Sequence, residues 1–343
     1  MRIAIVGAGS LGTIIGALLT EGGQNVDLID ANEENVKVLN ENGAQITGFI
    51  KKHVKVNALT PEQLEDKYDI VFLLTKQMYN HVALNQLLPH LHTDSVVCTL
   101  QNGVPEDNVA NIVGKHRTIG GAVGFGATWL RPGVSELTTE WDIVQKFAFD
   151  IGELDGKITP RAQKIAEILS LVGHCKVSDN ILGIKWAKLL MNATFSGMSA
   201  ALGCTFGEVL FNERAMYSLA HIADETIKVA RALGVKMVPM QGKDFEFLEL
   251  KDEKDIPNKM DFYKEVWTPH AKLKASMLQD LEKGKKTEID YINGHVSAKG
   301  RLVGMKTPYN DLVVELVKKA EEQKIVPDFS VNIERFDSLK VKR

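Results

Sequence analysis

The chain has 343 residues, enough for about two domains at roughly 100–200 residues each. Its 44% apolar and 25% charged residues exclude global disorder, a collagen repeat and a coiled-coil rod. With 41 Lys and Arg against 44 Asp and Glu, the net charge of −3 offers no electrostatic drive toward nucleic acid.

Arg2–Val6 is a short β-branched run ending in glycine, the pattern of a buried parallel strand. Glycines cut this run too early for a leader peptide. Residues 10–21 follow with apolar Leu11, Ile14, Ile15 and Leu18 at helical intervals, and Gly22-Gly23 stops them. Residues 26–30 read as a second strand and 32–40 as a helix with Val36 and Leu39 on its apolar face. Further buried strands are expected at 70–75, 96–100, 118–121 and 144–151. Helical stretches separate the earlier ones, which predicts a doubly wound α/β domain over residues 1–178. Near Asp179 the strand signals cease. Helices expected at 181–202, 213–233, 267–282, 288–302 and 309–323 make 179–326 an all-helical domain. The charged stretch 241–261 reads as a surface excursion, and 327–343 as a weakly packed polar tail.

Cys98, Cys175 and Cys204 are odd in number, far apart and without CxxC spacing, which fits neither a disulfide framework nor a zinc site. They read as small core residues of a reducing compartment. No run reaches the ~18 apolar residues of a membrane span, so the expectation is a soluble cytoplasmic protein without a membrane partner. The apolar positions of the helical half serve a core and a homodimer interface equally well.

Gly7-Ala8-Gly9-Ser10-Leu11-Gly12 spells GxGxxG directly after a strand and at the opening of a helix, the context this motif requires. Gly7 permits the tight turn, Gly9 lets backbone approach a pyrophosphate, and Gly12 lets helix pack on strand. The helix start then offers N–H groups to phosphate. The alternative is a glycine-rich turn without a ligand. Asp30 ends the second strand, near the ~20-residue interval of the ribose-binding acid. No Lys or Arg follows it within Ala31–Glu34 to take a 2′-phosphate, which favours NAD(H) over NADP(H). A turn or helix-cap role for Asp30 stays open.

Lys188, Asn192 and Ser196 recur at four-residue spacing on one helix face, among Trp186, Leu189, Leu190, Met191 and Phe195. They either line a cleft or face solvent, and Lys185 on nearly the same face competes with Lys188. Ser276-Met277-Leu278-Gln279-Asp280 precedes Thr287-Glu288-Ile289-Asp290-Tyr291-Ile292-Asn293-Gly294, where Thr287 can cap a helix starting at Glu288. Spacing alone does not bring Ser276 or Glu288 to Lys188. His174, His221 and His295 stand apart in sequence and read as structural or surface groups. Histidines and acids show no metal-ligand spacing, so no metal is expected.

Taken together, the glycine turn, Lys76 after a buried strand, Gln101-Asn102-Gly103, Lys188-x3-Asn192 and the SMLQD…TEIDYING pair resemble the ketopantoate reductase (2-dehydropantoate 2-reductase) family from Met1 to about Glu322. The resemblance implies a Rossmann domain, a helical domain and an active site in the cleft between them. It makes Lys188 the proton donor to a keto oxygen and Glu288 the acid that positions that lysine and the substrate–cofactor assembly. Asn192 and Ser276 become substrate-binding groups, and Asn102 and Lys76 lie near cofactor and substrate. The implied chemistry is hydride transfer from NAD(P)H to a small-molecule 2-oxo acid, giving a 2-hydroxy acid.

Three positions depart from the family's ketopantoate-specific asparagines: Ser196, Phe206 and Leu273. One hydroxyl and two apolar side chains replace three amides, and an apolar pocket cannot read an extra substrate hydroxyl as a hydrogen-bonding one can. The NADP-reading arginine is absent as well. These departures predict a D-2-hydroxy acid dehydrogenase of the same type, acting with NADH on a more apolar 2-oxo acid. Ketopantoate itself remains the close alternative. A non-catalytic dinucleotide sensor and a two-domain dehydrogenase of another substrate class are the rivals outside this chemistry.

Overall fold

A computed structural model describes residues 1–240 and 242–340. Among them the chain divides into two compact units, one ending at Leu182 and the other starting at Gly183. The division falls inside the Ile181–Met191 helix.

The first unit contains β1 (Arg2–Val6), β2 (Asn25–Ile29), β3 (Ala44–Gly48), β4 (Lys52–Val54), β5 (Asn57–Leu59), β6 (Tyr68–Leu73), β7 (Leu91–Thr99), β8 (Thr118–Val123), β9 (Ala127–Arg131), β10 (Val134–Leu137), β11 (Phe149–Glu153) and β12 (Cys175–Val177). Its main sheet runs β12-β11-β8-β7-β6-β1-β2-β5, parallel except where β11 meets β8. Successive strand residues point to opposite faces, so each strand feeds two cores. Ile3, Ile5, Leu28, Phe72 and Cys98 pack on one side with Ile14, Ile15 and Leu18 of the Ser10–Glu21 helix. Ala4, Val6, Ile29, Val71, Leu73 and Val97 pack on the other with Leu84, Leu87, Val109 and Val113. Burial on both faces explains why these strands read as unbroken apolar runs.

A second, four-stranded sheet, β4-β3-β10-β9, escapes sequence reading. Its strands are short and partly exposed, as in Lys52-His53-Val54 and Ala127–Arg131, so they carry no clear alternation. It covers the outer side of the Ser10–Glu21 helix through Ala44, Ile46 and Leu137. The run expected as a strand over 144–151 splits instead, helical over Trp141–Phe147 and extended over Phe149–Glu153.

The second unit is mainly helical. Its longest helix, Glu213–Ala232, presents Leu219, Ala223, Ile227 and Ala230 to the core. Three expectations need correction here. The helix expected over 267–282 is a 3-10 turn over Thr268–His270 and a shorter helix over Ser276–Glu282, and Trp267 instead ends the Ile256–Trp267 helix, two residues before Pro269. The charged stretch 241–261 supplies core: Phe245, Leu248, Leu250 and Ile256 are buried, while its charges point outward (Gln241 lies outside the described residues). The polar tail is helical over Phe329–Lys340, with Ile333 and Phe336 buried and Asp337 and Glu334 bound to Arg214 (residues 341–343 lie outside the described residues). Among the described residues no helix is long and apolar enough to cross a membrane, and no cluster of His, Cys, Asp or Glu could hold a metal ion. The three cysteines are buried as thiols, and burial pushes Cys175 and Cys204 up to about 12.

Candidate active site

In the first unit, β1 lies between β2 and β6, so strand order reverses beside β1. The loops leaving β1, β2, β6 and β7 gather at the carboxyl edge of that reversal, where open α/β sheets bind ligands. Those loops carry Gly7–Gly12, Asp30, Lys76 and Asn102.

Gly7 adopts φ +101°, and a Cβ there would stand 2.7 Å from the Thr75 backbone nitrogen. A Cβ on Gly12 would sit 1.9 Å from the Gly7 carbonyl oxygen. Both positions are closed to any side chain. Gly9 differs: its Cβ would meet nothing within 4 Å, so the turn is open there. Gly9 begins the Ser10–Glu21 helix without a side-chain cap, and no acid occupies the first turn. The Ala8 carbonyl accepts hydrogen bonds from Thr13 Oγ1 (2.8 Å) and Asn35 Nδ2 (3.0 Å). One carbonyl is thereby occupied while helix N–H groups stay available beside an open surface, which fits a dinucleotide pyrophosphate. Ala8 is buried, and Ser10 and Leu11 are half-buried.

Asp30 follows β2, and its Oδ1 accepts the Asn32 N–H at 2.9 Å. Burial raises its carboxyl above the ordinary value, opposed by hydrogen bonds from Asn32, Ala8 and Asn35. Lys76 is half-buried at the start of the 3-10 turn Gln77–Tyr79. Asn102 has an exposed side chain, and its carbonyl accepts from Gln77 Nε2 at 2.5 Å. Buried Gln101 donates to the Thr75 carbonyl (2.5 Å) and to Asn80 Oδ1 (2.7 Å), tying the β7 loop to the β6 loop.

In the second unit, the segment from Gly183 to Leu202 is almost wholly buried; Lys188, Met191, Asn192 and Ser196 are the half-exposed positions within it. Lys185 is 1% exposed, so burial separates it from Lys188, which spacing could not do. The helix is not uniform. A π-turn occupies Asn192–Ser196 between Ile181–Met191 and Gly197–Leu202. Four α-helical residues overshoot a full turn by roughly 40°. The wider turn offsets part of that drift and keeps Ser196 nearer the line of Lys188 and Asn192.

Phe206 is half-buried, with its ring 5.8 Å from that of Phe195, which stacks on Trp267 at 4.5 Å. The Phe206 N–H donates to the Leu273 carbonyl at 2.9 Å, so these two positions meet through backbone. The Leu273 side chain is 52% exposed and is no part of the buried aromatic group. Ser276 is exposed at the first position of its helix. The preceding Ala275 N–H donates to Ser199 Oγ (3.2 Å), which donates to the Cys204 carbonyl (2.6 Å), linking this segment to the helix after the π-turn. Glu288 is half-buried. The helix expected from it begins as the 3-10 turn Ile289–Tyr291, and the α-helix starts only at Asn293. The cap expected from Thr287 is not at the N-cap position, which Glu288 holds without a side-chain cap bond; Thr287 Oγ1 accepts the Ile289 N–H at 3.1 Å from one residue further back.

Several supporting residues have no sequence signal. Asn35 looks like a solvated helix residue, yet it is 1% exposed and also accepts the Gly133 N–H at 2.9 Å. Asn293 and Asn310 are fully buried amides whose partners are distant in the chain. His221 stacks on Tyr309 at 4.6 Å and His295 lies 5.5 Å from Trp186, so both pack against aromatic rings.

Comparison with known proteins agrees with this architecture. Residues 3–148 match the family described as ketopantoate reductase PanE/ApbA, and residues 180–321 match its C-terminal counterpart. A 2-dehydropantoate 2-reductase of Pyrococcus abyssi is 30% identical over 323 residues, covering 94% of this chain and 98% of that protein. One from Lactococcus lactis is 31% identical over 330 residues, with the same coverage of both. Among solved structures, a D-mandelate dehydrogenase with NADH and anilino(oxo)acetate is 28% identical with a TM-score of 0.81, covering 94% of this chain and 99% of the other. A ketopantoate reductase of Ralstonia eutropha shares the fold at 24% identity and a TM-score of 0.79, with the same coverage of both. A GxGxxG turn between strand and helix, a Rossmann unit followed by a helical one, and matches to both halves of one family lead to one conclusion: the chain belongs to the ketopantoate reductase family of NAD(P)H-dependent oxidoreductases.

Proposed function

We propose that the protein reduces a 2-oxo acid with an apolar substituent to the 2-hydroxy acid, with NADH as the preferred reductant. The observation that carries the substrate class is the half-buried Phe206 ring beside Phe195, which itself stacks on Trp267, at a position where ketopantoate-specific relatives have an amide by the resemblance above. The likeness to a D-mandelate dehydrogenase supports it. Asp30 supports NADH: a half-buried carboxylate after β2, with no cation in Ala31–Glu34, accepts ribose hydroxyls and repels a 2′-phosphate.

Gly7–Gly12 would hold the pyrophosphate and Asp30 the ribose, with Lys76 and Asn102 near the nicotinamide end. When bound, the cofactor supplies a hydride to the carbonyl carbon. Negative charge then develops on the keto oxygen, and the Lys188 ammonium stabilises it and gives up its proton. Glu288 keeps that lysine charged and oriented against the desolvation that opposes it. Asn192, Ser196 and Ser276 bind the substrate's polar end, while Phe206 and Leu273 face its substituent. One substrate carbonyl gains a hydride and a proton, and one C–OH results.

The test is turnover of NADH and NADPH, each crossed with ketopantoate, 2-oxoisocaproate and phenylglyoxylate. A kcat/KM highest for an apolar acid with NADH is expected. Ketopantoate far ahead of both, with NADPH, would overturn the substrate reading. It would favour the second one, a true 2-dehydropantoate 2-reductase, which the names of relatives around 30% identical support.

A further inference from the structure

The π-turn at Asn192–Ser196 is an uncommon departure from the α-helix, of the kind found mostly at functional sites. Such a turn frees backbone carbonyls from their usual partners. Thr194 Oγ1 donates to the Leu190 (2.8 Å) and Met191 (3.0 Å) carbonyls. Asn293 Nδ2 donates to the Ala193 carbonyl at 2.9 Å, from a helix a hundred residues along the chain.

Asn293 does not act alone. Its Nδ2 also donates to Asn310 Oδ1 at 3.0 Å, and Asn310 Nδ2 donates to Glu225 Oε2 at 2.8 Å. The Glu225 carboxyl accepts the Tyr309 and Asn310 N–H groups, both at 3.0 Å, at the start of the Pro308–Gln323 helix. Asn293 and Asn310 are 0% exposed and Glu225 6%. Gly197 closes the arrangement, because a Cβ there would stand 2.6 Å from Asn293 Oδ1. A buried polar chain of this length is a poor way to gain stability alone, since apolar residues of similar volume often do as well. It ends at the one wide turn of the helix, between the two polar residues assigned to the substrate.

We propose that Asn293, Asn310 and Glu225 are positioning residues for the reduction, holding the π-turn so that Asn192 and Ser196 share a face with Lys188. This rests on the function proposed above. Asn310 is fixed at a helix start by Glu225, and Asn293 carries that fixed point to the Ala193 carbonyl. The substrate face is thus referenced to a helix that contributes no substrate group.

The experiment compares Asn293→Ser with the wild-type enzyme, each checked for folding by circular dichroism, in three measurements. NADH binding by fluorescence should be unchanged. Misplacement by about 1 Å costs up to ~100-fold in rate, so kcat/KM for the best 2-oxo acid should fall about 10- to 100-fold. The loss should be non-additive with Asn192→Ala, as expected of coupled positions. Hydrogen–deuterium exchange should quicken over 192–198 and stay unchanged over 213–232. Wild-type kcat/KM per folded enzyme, an additive loss, or exchange that quickens evenly through the helical unit would overturn the proposal. If Asn293→Ser does not fold, Glu225→Gln at the far end of the polar chain is read by the same kcat/KM and exchange over 192–198, with residues 256–267 as the unchanged control because Glu225 lies within 213–232. If the wild type reduces no 2-oxo acid, the proposed function fails and the positioning role falls with it, while the exchange pattern still decides whether Asn293 holds the π-turn.

Discussion

The two units build their candidate surfaces by different means. In the first, the candidate phosphate turn is backbone: three glycines and the start of a helix, fixed by the adjacent strand and the Thr75 loop. In the second, the Lys188, Asn192 and Ser196 face is made of side chains on one largely buried helix, held by Thr194 from within and by Asn293 from far along the chain. A backbone site is written in consecutive residues and tolerates no side chain at Gly7 or Gly12. A side-chain site depends on contacts that no local stretch of sequence contains.

The sharpest break between the two is removal of Lys188. Lys188→Ala should lower kcat by about 10²–10⁴-fold, the range for a general acid, while NADH affinity measured by fluorescence stays at the wild-type value. Loss of NADH binding in that variant would show that the division of labour is wrong.

Within the first unit, Gly9→Ala should weaken NADH binding at least about tenfold with little change in melting temperature, because the new methyl meets open space in the protein and fills the approach to the phosphates. Gly12→Ala should lose stability as well, since its methyl would collide with the Gly7 carbonyl. Equal melting temperatures for these two variants would break the argument.

A third test separates a buried charge from the surface charges around it. Burial pushes Glu225 up to about 7 against a reference of 4.5, despite the hydrogen bonds from Tyr309 and Asn310 that favour its charged form. Between those values the folded chain holds more protons than the unfolded chain. This group's contribution to stability therefore falls as pH rises from about 4.5 to 7 and is level above that, by up to about 3 kcal/mol. Urea unfolding across this window should show that slope in the wild type and its loss in Glu225→Gln.

The smallest effect expected is on selectivity. Phe206→Asn restores an amide where the ring now stands, and should shift the kcat/KM ratio of ketopantoate over 2-oxoisocaproate upward by about 10-fold, less than a full switch because Leu273 and Ser196 are unchanged. A ratio that stays put would remove Phe206 from the specificity argument.

Much of the first unit was legible because its rules are local. An apolar run, glycines at fixed intervals and an acid at the next strand end imply a strand, a turn and a ligand edge without any distant contact. The second sheet was not legible, because Lys52-His53-Val54 and Ala127–Arg131 are short and half-exposed and gain their strand character only by pairing on β3 and β10. In the helical unit, periodicity found several helices but missed Ile256–Trp267 and Phe329–Lys340, and it ran a helix through Pro269, which lies in a 3-10 turn. It also assigned 241–261 to the surface by its charges, although Phe245, Leu248 and Leu250 turn inward.

The sequence by itself determined the family, the order of the two units, the glycine turn and the polar face of Lys188, Asn192 and Ser196, because each follows from residues close in the chain or from motifs in series. Tertiary structure alone decided that Lys185 is buried while Lys188 is half-open, that the helix widens at Asn192, and that Asn35, Asn293 and Asn310 are structural amides. Their partners lie tens to a hundred residues away, and a buried amide and a solvated one look alike until the fold brings a carbonyl to meet it.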